Sequence, residues 1–240
     1  MEKYTVGFIG YGNMSQAIVA GLTDKLSVYL LKDAGFKLKI AVSDPDSEKL
    51  AKAPKGVSVT SDNVALVNSS DVIILAIKPQ MAAETIRNLD FTGKIVISIM
   101  ASVSTIAIRK LSGYTTDKIV RVMPNLNARV GSAYSTYCTT GLDNREVKLV
   151  EKILYSFGDA RKIDEKFMNT TTGIGGSGPA FVFMFLEAYY NAALNRGIPN
   201  DVALEMAVST IRGSADLIEE TYLKDGEYSK DRADIDELVK

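Results

Sequence analysis

The stretch Gly10-Tyr11-Gly12-Asn13-Met14-Ser15 constrains what this chain can fold into more than any other part of it. A β-rich run over residues 5–9 leads into it, and apolar residues at helical spacing, Ala17, Ile18 and Leu22, follow Asn13. A strand that passes through two glycines straight into a helix is the phosphate-binding entry of a dinucleotide fold. Gly10 permits the tight turn, Gly12 lets a pyrophosphate approach the main chain, and a small third residue, here Ser15, lets helix and sheet pack. The pyrophosphate would rest on the free amides and the positive dipole end at Asn13 and Met14.

Beyond this entry the first two thirds of the chain alternate short β-rich runs with helical stretches. Strands are expected over 38–43, 57–60, 72–76, 95–99 and 119–122, several of them unbroken apolar runs that suit a parallel sheet covered on both faces. Pro79 suits a first helical turn, and Ser104 can cap the run to Leu111. The expected class is α/β, a Rossmann-type doubly wound parallel sheet. After about Lys162 the strands stop and two long helices are expected, over 179–195 and 200–220, entered through the glycine-rich loop of residues 170–179. The division is therefore a dinucleotide-binding domain over 1–163 and an all-helical domain over 164–240. Two or three helices make a thin core alone, so a second copy of the chain is the expected partner, as a homodimer through these helices or a higher oligomer. Gly213, Ser214 and Ala215 are small enough for close helix packing, and the charged residues 219–240 suit a solvated face or frayed tail.

Composition removes whole classes of chemistry. There is no histidine, so Ser-His-Asp and Cys-His nucleophiles, HExxH zinc sites and imidazole acid-base work are excluded together, and no metal site is expected. A formal net charge of −1 gives no general attraction for nucleic acid or anionic lipid. No apolar run reaches the roughly 20 residues that a membrane span needs, and the N-terminus carries no secretory pattern, so a cytoplasmic setting is expected. Cys138, the single cysteine, lies in an expected strand over 133–138 and reads as a small buried hydrophobe.

The second strand ends in Ser43-Asp44-Pro45-Asp46, after a long connection over 24–37. Asp44 is the candidate acceptor for ribose hydroxyls, and an acid there leans the choice to NADH by repelling a 2′-phosphate. The same residues leave two alternatives open: Asp44 or Asp46 can cap a helix over 47–52, and Ser43 can bond a phosphate.

Four further segments carry a family resemblance. Residues 7–14 resemble the opening of the Δ1-pyrroline-5-carboxylate reductases, and residues 71–80, ending in Ile77-Lys78-Pro79-Gln80, resemble their fourth strand and cofactor loop. Arg121-Val122-Met123-Pro124-Asn125 is similar to their RxMPN segment, and Gly176-Ser177-Gly178-Pro179-Ala180-Phe181 to their GSGPAY junction. The resemblance implies a Rossmann domain followed by a helical dimerisation domain, and reduction by NAD(P)H of a small cyclic imine to proline. It implies that Gly12, Asn13 and Met14 hold the pyrophosphate, Asn63 the adenosine ribose, and Ala76, Lys78 and Pro79 the nicotinamide side. Met123, Pro124 and Asn125 would line the nicotinamide and substrate pocket, with the amides of Gly176, Ser177 and Gly178 at a helix start facing it. The family pattern runs on into a Ser-Pro-Gly-Gly-Thr loop, so the helical domain is expected to lack its usual C-terminal part. The chain departs from the pattern at Ser102, Leu126 and Ala133. A protonated imine is already an electrophile, so no residue is assigned as catalytic acid or base, in keeping with the missing histidine. The alternatives are a related Rossmann dehydrogenase for another small imine or hydroxy acid, and a non-catalytic nucleotide-binding dimer.

Overall fold

The computed structural model describes residues 1–224 and 227–228. The expectations placed on the charged end and on a shortened C-terminal part fall largely outside those residues. β1 (Glu2–Ile9) runs into α1 (Asn13–Thr23), and the long connection that follows contains a helix the sequence reading did not anticipate, α2 (Lys25–Asp33). The Asp24 side chain starts it by accepting from the Leu26 amide at 2.9 Å. Then come β2 (Phe36–Ser43), α3 (Ser47–Leu50), β3 (Ser58–Thr60), α4 (Asn63–Asn68), β4 (Val72–Leu75), α5 (Ala82–Ile86), β5 (Ile95–Ser98), α6 (Thr105–Leu111) and β6 (Ile119–Met123). The Ser104 hydroxyl caps α6 on the Ala107 amide, as its position in the sequence suggests.

Three more elements complete the sheet side. These are β7 (Ala133–Thr140), α7 (Asn144–Leu154), whose start is fixed by a reciprocal Asp143–Glu146 capping box, and β8 (Gly158–Lys162). The strand order is β3-β2-β1-β4-β5-β6-β7-β8, so the order reverses between β1 and β4. All neighbours are parallel except β6 and β7. The doubly wound, mostly parallel sheet is the one expected, and the antiparallel β6–β7 pair has length as its cause: the link between β6 and β7 is too short for the dozen or more residues of a parallel crossover.

Alternate strand residues feed two cores. Val6, Phe8, Val72, Ile74, Val120 and Val122 pack with Ile18 and Leu22 of α1 and Leu149 and Ile153 of α7 on one face. Ile9, Ile73, Leu75 and Val96 pack with Leu66, Ile86 and Ile108 on the other. Cys138 is buried and unpaired, and burial pushes its thiol up to about 11.

The chain divides into two compact units, Met1–Pro179 and the residues from Ala180 on. The first unit ends with α8 (Met168–Thr171) and a π-helical turn, Thr172–Gly176. The helices that follow are α9 (Gly178–Leu194) and α10 (Asn200–Tyr222); beyond them Leu223–Lys224 and Glu227–Tyr228 pair antiparallel. In α10 it is Ala203 and Ala207 that are buried, whereas Gly213, Ser214 and Ala215 are exposed, so close packing at those three is not made among the described residues. Among the described residues no helix is long and apolar enough to cross a membrane, and no cluster of His, Cys, Asp or Glu could hold a metal ion.

Candidate functional site

The reversal of strand order between β1 and β4 opens a crevice at the carboxyl ends of the strands, where doubly wound sheets bind ligands. The glycine turn lies on its edge. Gly10 has φ 93°, and a Cβ there would stand 2.6 Å from the Ala76 carbonyl oxygen, so only glycine fits between β1 and the end of β4. A Cβ at Gly12 would meet nothing within 4 Å, so the space above this residue is open for a ligand. The buried Ser15 hydroxyl donates to the Gly10 carbonyl at 2.6 Å and locks the turn. Gly12 caps α1 without a side-chain bond, which leaves the amides of the first turn free and aimed outward at the positive dipole end. Open space above Gly12 beside free amides fits a pyrophosphate.

At the end of β2 the structure gives Asp44 a definite set of partners. Its Oδ2 accepts from the Tyr11 amide at 2.8 Å, and its Oδ1 accepts from the Asp46 amide at 3.0 Å and from Lys49 Nζ at 3.3 Å. The carboxylate is buried and ties the glycine turn to β2. Asp46 caps α3 on the Glu48 and Lys49 amides. Ser43 is buried, and its hydroxyl donates to Asn63 Oδ1 at 2.7 Å, which joins the two adenosine-side candidates.

A cleft of about 330 Å3 continues from the glycine turn across the sheet. It is lined by Gly12–Ser15, by Ala76, Ile77, Lys78 and Pro79 after β4, by Ile99, Met100 and Ala101 after β5, and by Met123 and Pro124 at the end of β6. Eight of the residues singled out from the sequence thus meet in one place: Gly12, Asn13, Met14, Ala76, Lys78, Pro79, Met123 and Pro124. The wall of Ile99, Met100 and Ala101 was missed, although three apolar residues running on past the strand Ile95–Ser98 were a usable signal. Among the described residues Lys78 carries the one charged side chain in the lining, at the start of the short turn Pro79–Met81. Just beyond the wall, Ser102 holds a left-handed φ of 61°, where a residue with a Cβ is strained.

Asn125 and Gly176 connect this cleft to the helical junction. Asn125 Nδ2 donates to the Gly175 carbonyl at 3.2 Å, while its Oδ1 accepts from the Asn127 amide at 3.2 Å. A Cβ at Gly176 would stand 2.6 Å from Met123 Cε, so the glycine lets the junction sit against the cleft wall. The junction itself corrects the sequence reading: residues 170–179 are not a loop opening a helix but a continuation of α8 through a widened π turn into α9. Ser177 and Gly178 therefore do not stand at a fresh helix N-terminus with its free amides.

The buried Arg121 on β6 anchors this junction, a role the sequence reading did not find because it needs residues 44 and 48 positions away. Arg121 donates to Asn169 Oδ1 at 2.6 Å and lies 3.5 Å from Glu165 Oε1. Glu165 in turn accepts from the Thr105 amide at 2.7 Å and the Thr105 hydroxyl at 2.6 Å, at the start of α6. Burial alone would raise the Glu165 carboxyl, but the Thr105 bonds and the Arg121 guanidinium outweigh it and hold it below the usual carboxylate range.

A cleft with one lysine, no imidazole and no metal cluster among the described residues is built to bind and orient. Known proteins agree in both halves of the chain. Residues 5–102 match the family described as NADP oxidoreductase coenzyme F420-dependent, and residues 165–233 the family described as pyrroline-5-carboxylate reductase dimerisation. The pyrroline-5-carboxylate reductase of Aquifex aeolicus is 38% identical over 218 residues, covering 90% of this chain and 78% of its own length. That of Methanosarcina acetivorans is 36% identical over 233 residues, covering 95% and 83%. Among solved structures, the pyrroline-5-carboxylate reductase of Coxiella burnetii superposes with a TM-score of 0.81 at 27% identity, covering 100% of this chain and 86% of that one. The Plasmodium falciparum pyrroline carboxylate reductase with NADP bound gives 0.78 at 28% identity, covering 91% and 80%. With the motifs, the sheet order and relatives that align over most of both chains in accord, this chain belongs to the pyrroline-5-carboxylate reductase family.

Proposed function

We propose that the chain reduces Δ1-pyrroline-5-carboxylate to proline, hydride passing from a reduced nicotinamide dinucleotide to the C=N carbon. The observation that carries this reading is the cleft, which runs from the glycine turn to Met123 and Pro124 with a lining almost devoid of titratable groups. Gly10, Gly12, Asn13 and Met14 hold the pyrophosphate, with Ser43, Asp44 and Asn63 on the adenosine side. Ala76, Lys78 and Pro79 border the nicotinamide, and Met123, Pro124 and Asn125 with Gly176, Ser177 and Gly178 border the substrate. When bound, the reduced dinucleotide supplies the hydride. The chain's own contribution is to align the two reactants and to exclude water with the apolar walls Ile77, Ile99 and Met100. The imine enters protonated, so its nitrogen becomes the amine without a proton from a side chain.

The cofactor preference we infer is NADH. Lys49, the cation beside the end of β2, is already shared by Asp44 at 3.3 Å and Asp46 at 3.6 Å, so two carboxylates offset its charge where a 2′-phosphate would stand. The second copy of the chain docks through α9 and α10, a reading supported by the exposed Phe181, Phe183, Met184 and Phe185 on α9. The free, buried Cys138 suits a reducing, cytoplasmic setting. The test is oxidation of NADH, and separately of NADPH, by the purified chain with and without Δ1-pyrroline-5-carboxylate. Substrate-dependent oxidation with kcat/KM higher for NADH is expected. Oxidation that ignores the substrate would remove the reductase reading, and a higher kcat/KM for NADPH would remove the cofactor inference alone.

A further inference from the structure

A second cavity, of about 520 Å3, lies along β2 where β3 does not reach. β3 pairs only with Ala41–Ser43, so among the described residues the earlier part of β2 forms a free sheet edge. In a parallel ladder a residue sends its N–H and C=O to the same neighbour. The Gly35 carbonyl accepts from the Glu2 amide and the Ser43 carbonyl from the Gly10 amide, both on the β1 side. Odd-numbered residues of β2 therefore serve β1, and the main-chain groups of Phe36 and Leu38 face outward along the cavity they line.

The floor of the cavity is apolar, from Leu22, Leu31 and Val57, and its rim carries Lys32, Lys37, Lys39 and Lys55. All four lysines are exposed, and among the described residues none of them forms a salt bridge. Lys3 stands directly opposite Lys37 in the β1–β2 register, a like-charge pair that repels, while its neighbour Glu2 is committed to Arg145 at 2.7 Å. Lysines along an edge discourage pairing with ordinary strands, so a strand that does pair must bring the opposite charge.

We propose that this edge receives an extended acidic segment of a partner protein as an added strand. The segment alternates acidic residues, which meet Lys37 and Lys39, with apolar residues, which cover the floor beside Leu31 and Phe36. Outward main-chain groups on a bare edge, an apolar floor on one face and ammonium groups without a salt bridge on the other match that alternation.

The test uses the full chain and a fluorescein-labelled hexapeptide, Asp-Leu-Asp-Val-Asp-Leu, and its readout does not depend on turnover. Three controls accompany it: the same composition in blocks, Asp-Asp-Asp-Leu-Val-Leu; the alternating peptide N-methylated at every second amide; and dodecanoate as an acyl anion. Saturable binding is expected for the alternating peptide, at least tenfold weaker for both peptide controls. It is expected to be at least tenfold weaker also for the K37E/K39E double variant, whose exposed positions leave the fold intact, as its circular dichroism should confirm. Amide exchange at Leu38 should slow when the peptide is bound. No saturation at millimolar peptide, equal binding of the blocked or N-methylated peptide, unchanged exchange at Leu38, or uptake of dodecanoate in place of the peptide would each overturn the proposal.

Discussion

Gly10 and Gly12, two residues apart, should fail in opposite ways when given a side chain. Gly10 combines φ 93° with a Cβ position 2.6 Å from the Ala76 carbonyl, so Gly10→Ala should cost about 2–4 kcal/mol in urea unfolding. Gly12 has open space instead, so Gly12→Val should change stability by no more than about 1 kcal/mol. It should nonetheless weaken dinucleotide binding by roughly two orders of magnitude, measured by calorimetry, because the valine fills the pyrophosphate approach. Unaltered NADH affinity in Gly12→Val would remove the site. Glu165 gives a pH test. Its folded carboxyl is held below the ordinary value of 4.5, so the stability it contributes is present above that pH and is lost as pH falls through the folded value. Glu165→Gln should therefore cost about 1–3 kcal/mol at neutral pH, and its gap to wild type should close on acidification; a gap independent of pH would mean that the charge is idle. The two glycines were legible in the sequence because strand, turn and helix lie side by side. Arg121, Glu165 and Thr105 were not, because their meeting depends on which strand and helix ends the sheet order brings together.

Among elements, the π turn Thr172–Gly176 carries the sharpest consequence. A methyl at Gly176 would meet Met123 Cε, the free end of a flexible side chain, so the methionine yields and the fold survives. Because Met123 lines the cleft, the displacement is felt in catalysis. Gly176→Ala should lower kcat/KM for the imine about tenfold while leaving ADP-ribose affinity unchanged, and adding Met123→Ala should restore much of the loss. An additive double variant would contradict the contact. The sequence showed the glycines and where the following helix runs, but not that α8 continues through them, because glycine-rich stretches read as loops unless their neighbours are known. α2 was hidden for a similar reason. Its exposed Leu26, Val28 and Tyr29 blur the amphipathic pattern by which a surface helix is recognised.

For the whole molecule, the doubly wound α/β class and the change to helices after about Lys162 followed from the apolar runs, since buried parallel strands leave few alternatives; β8, polar and largely exposed over Gly158–Lys162, and the antiparallel β6–β7 pair did not. On the proposed docking of a second copy, the exposed phenylalanines of α9 are the residues it covers. Phe185→Glu should convert a dimer to monomers in analytical ultracentrifugation, with the sheet unit retaining its dinucleotide affinity; an unshifted mass would exclude α9 from the interface. The central claim is that the cleft aligns a nicotinamide with the C=N carbon of the pyrroline. It is tested most directly by supplying NADH deuterated at the transferable C4 position and analysing the proline by mass spectrometry and NMR. The account predicts one deuterium per proline, on the ring carbon that was the imine carbon and on one face only. Proline without deuterium, or no proline while the chain still binds NADH, would contradict it.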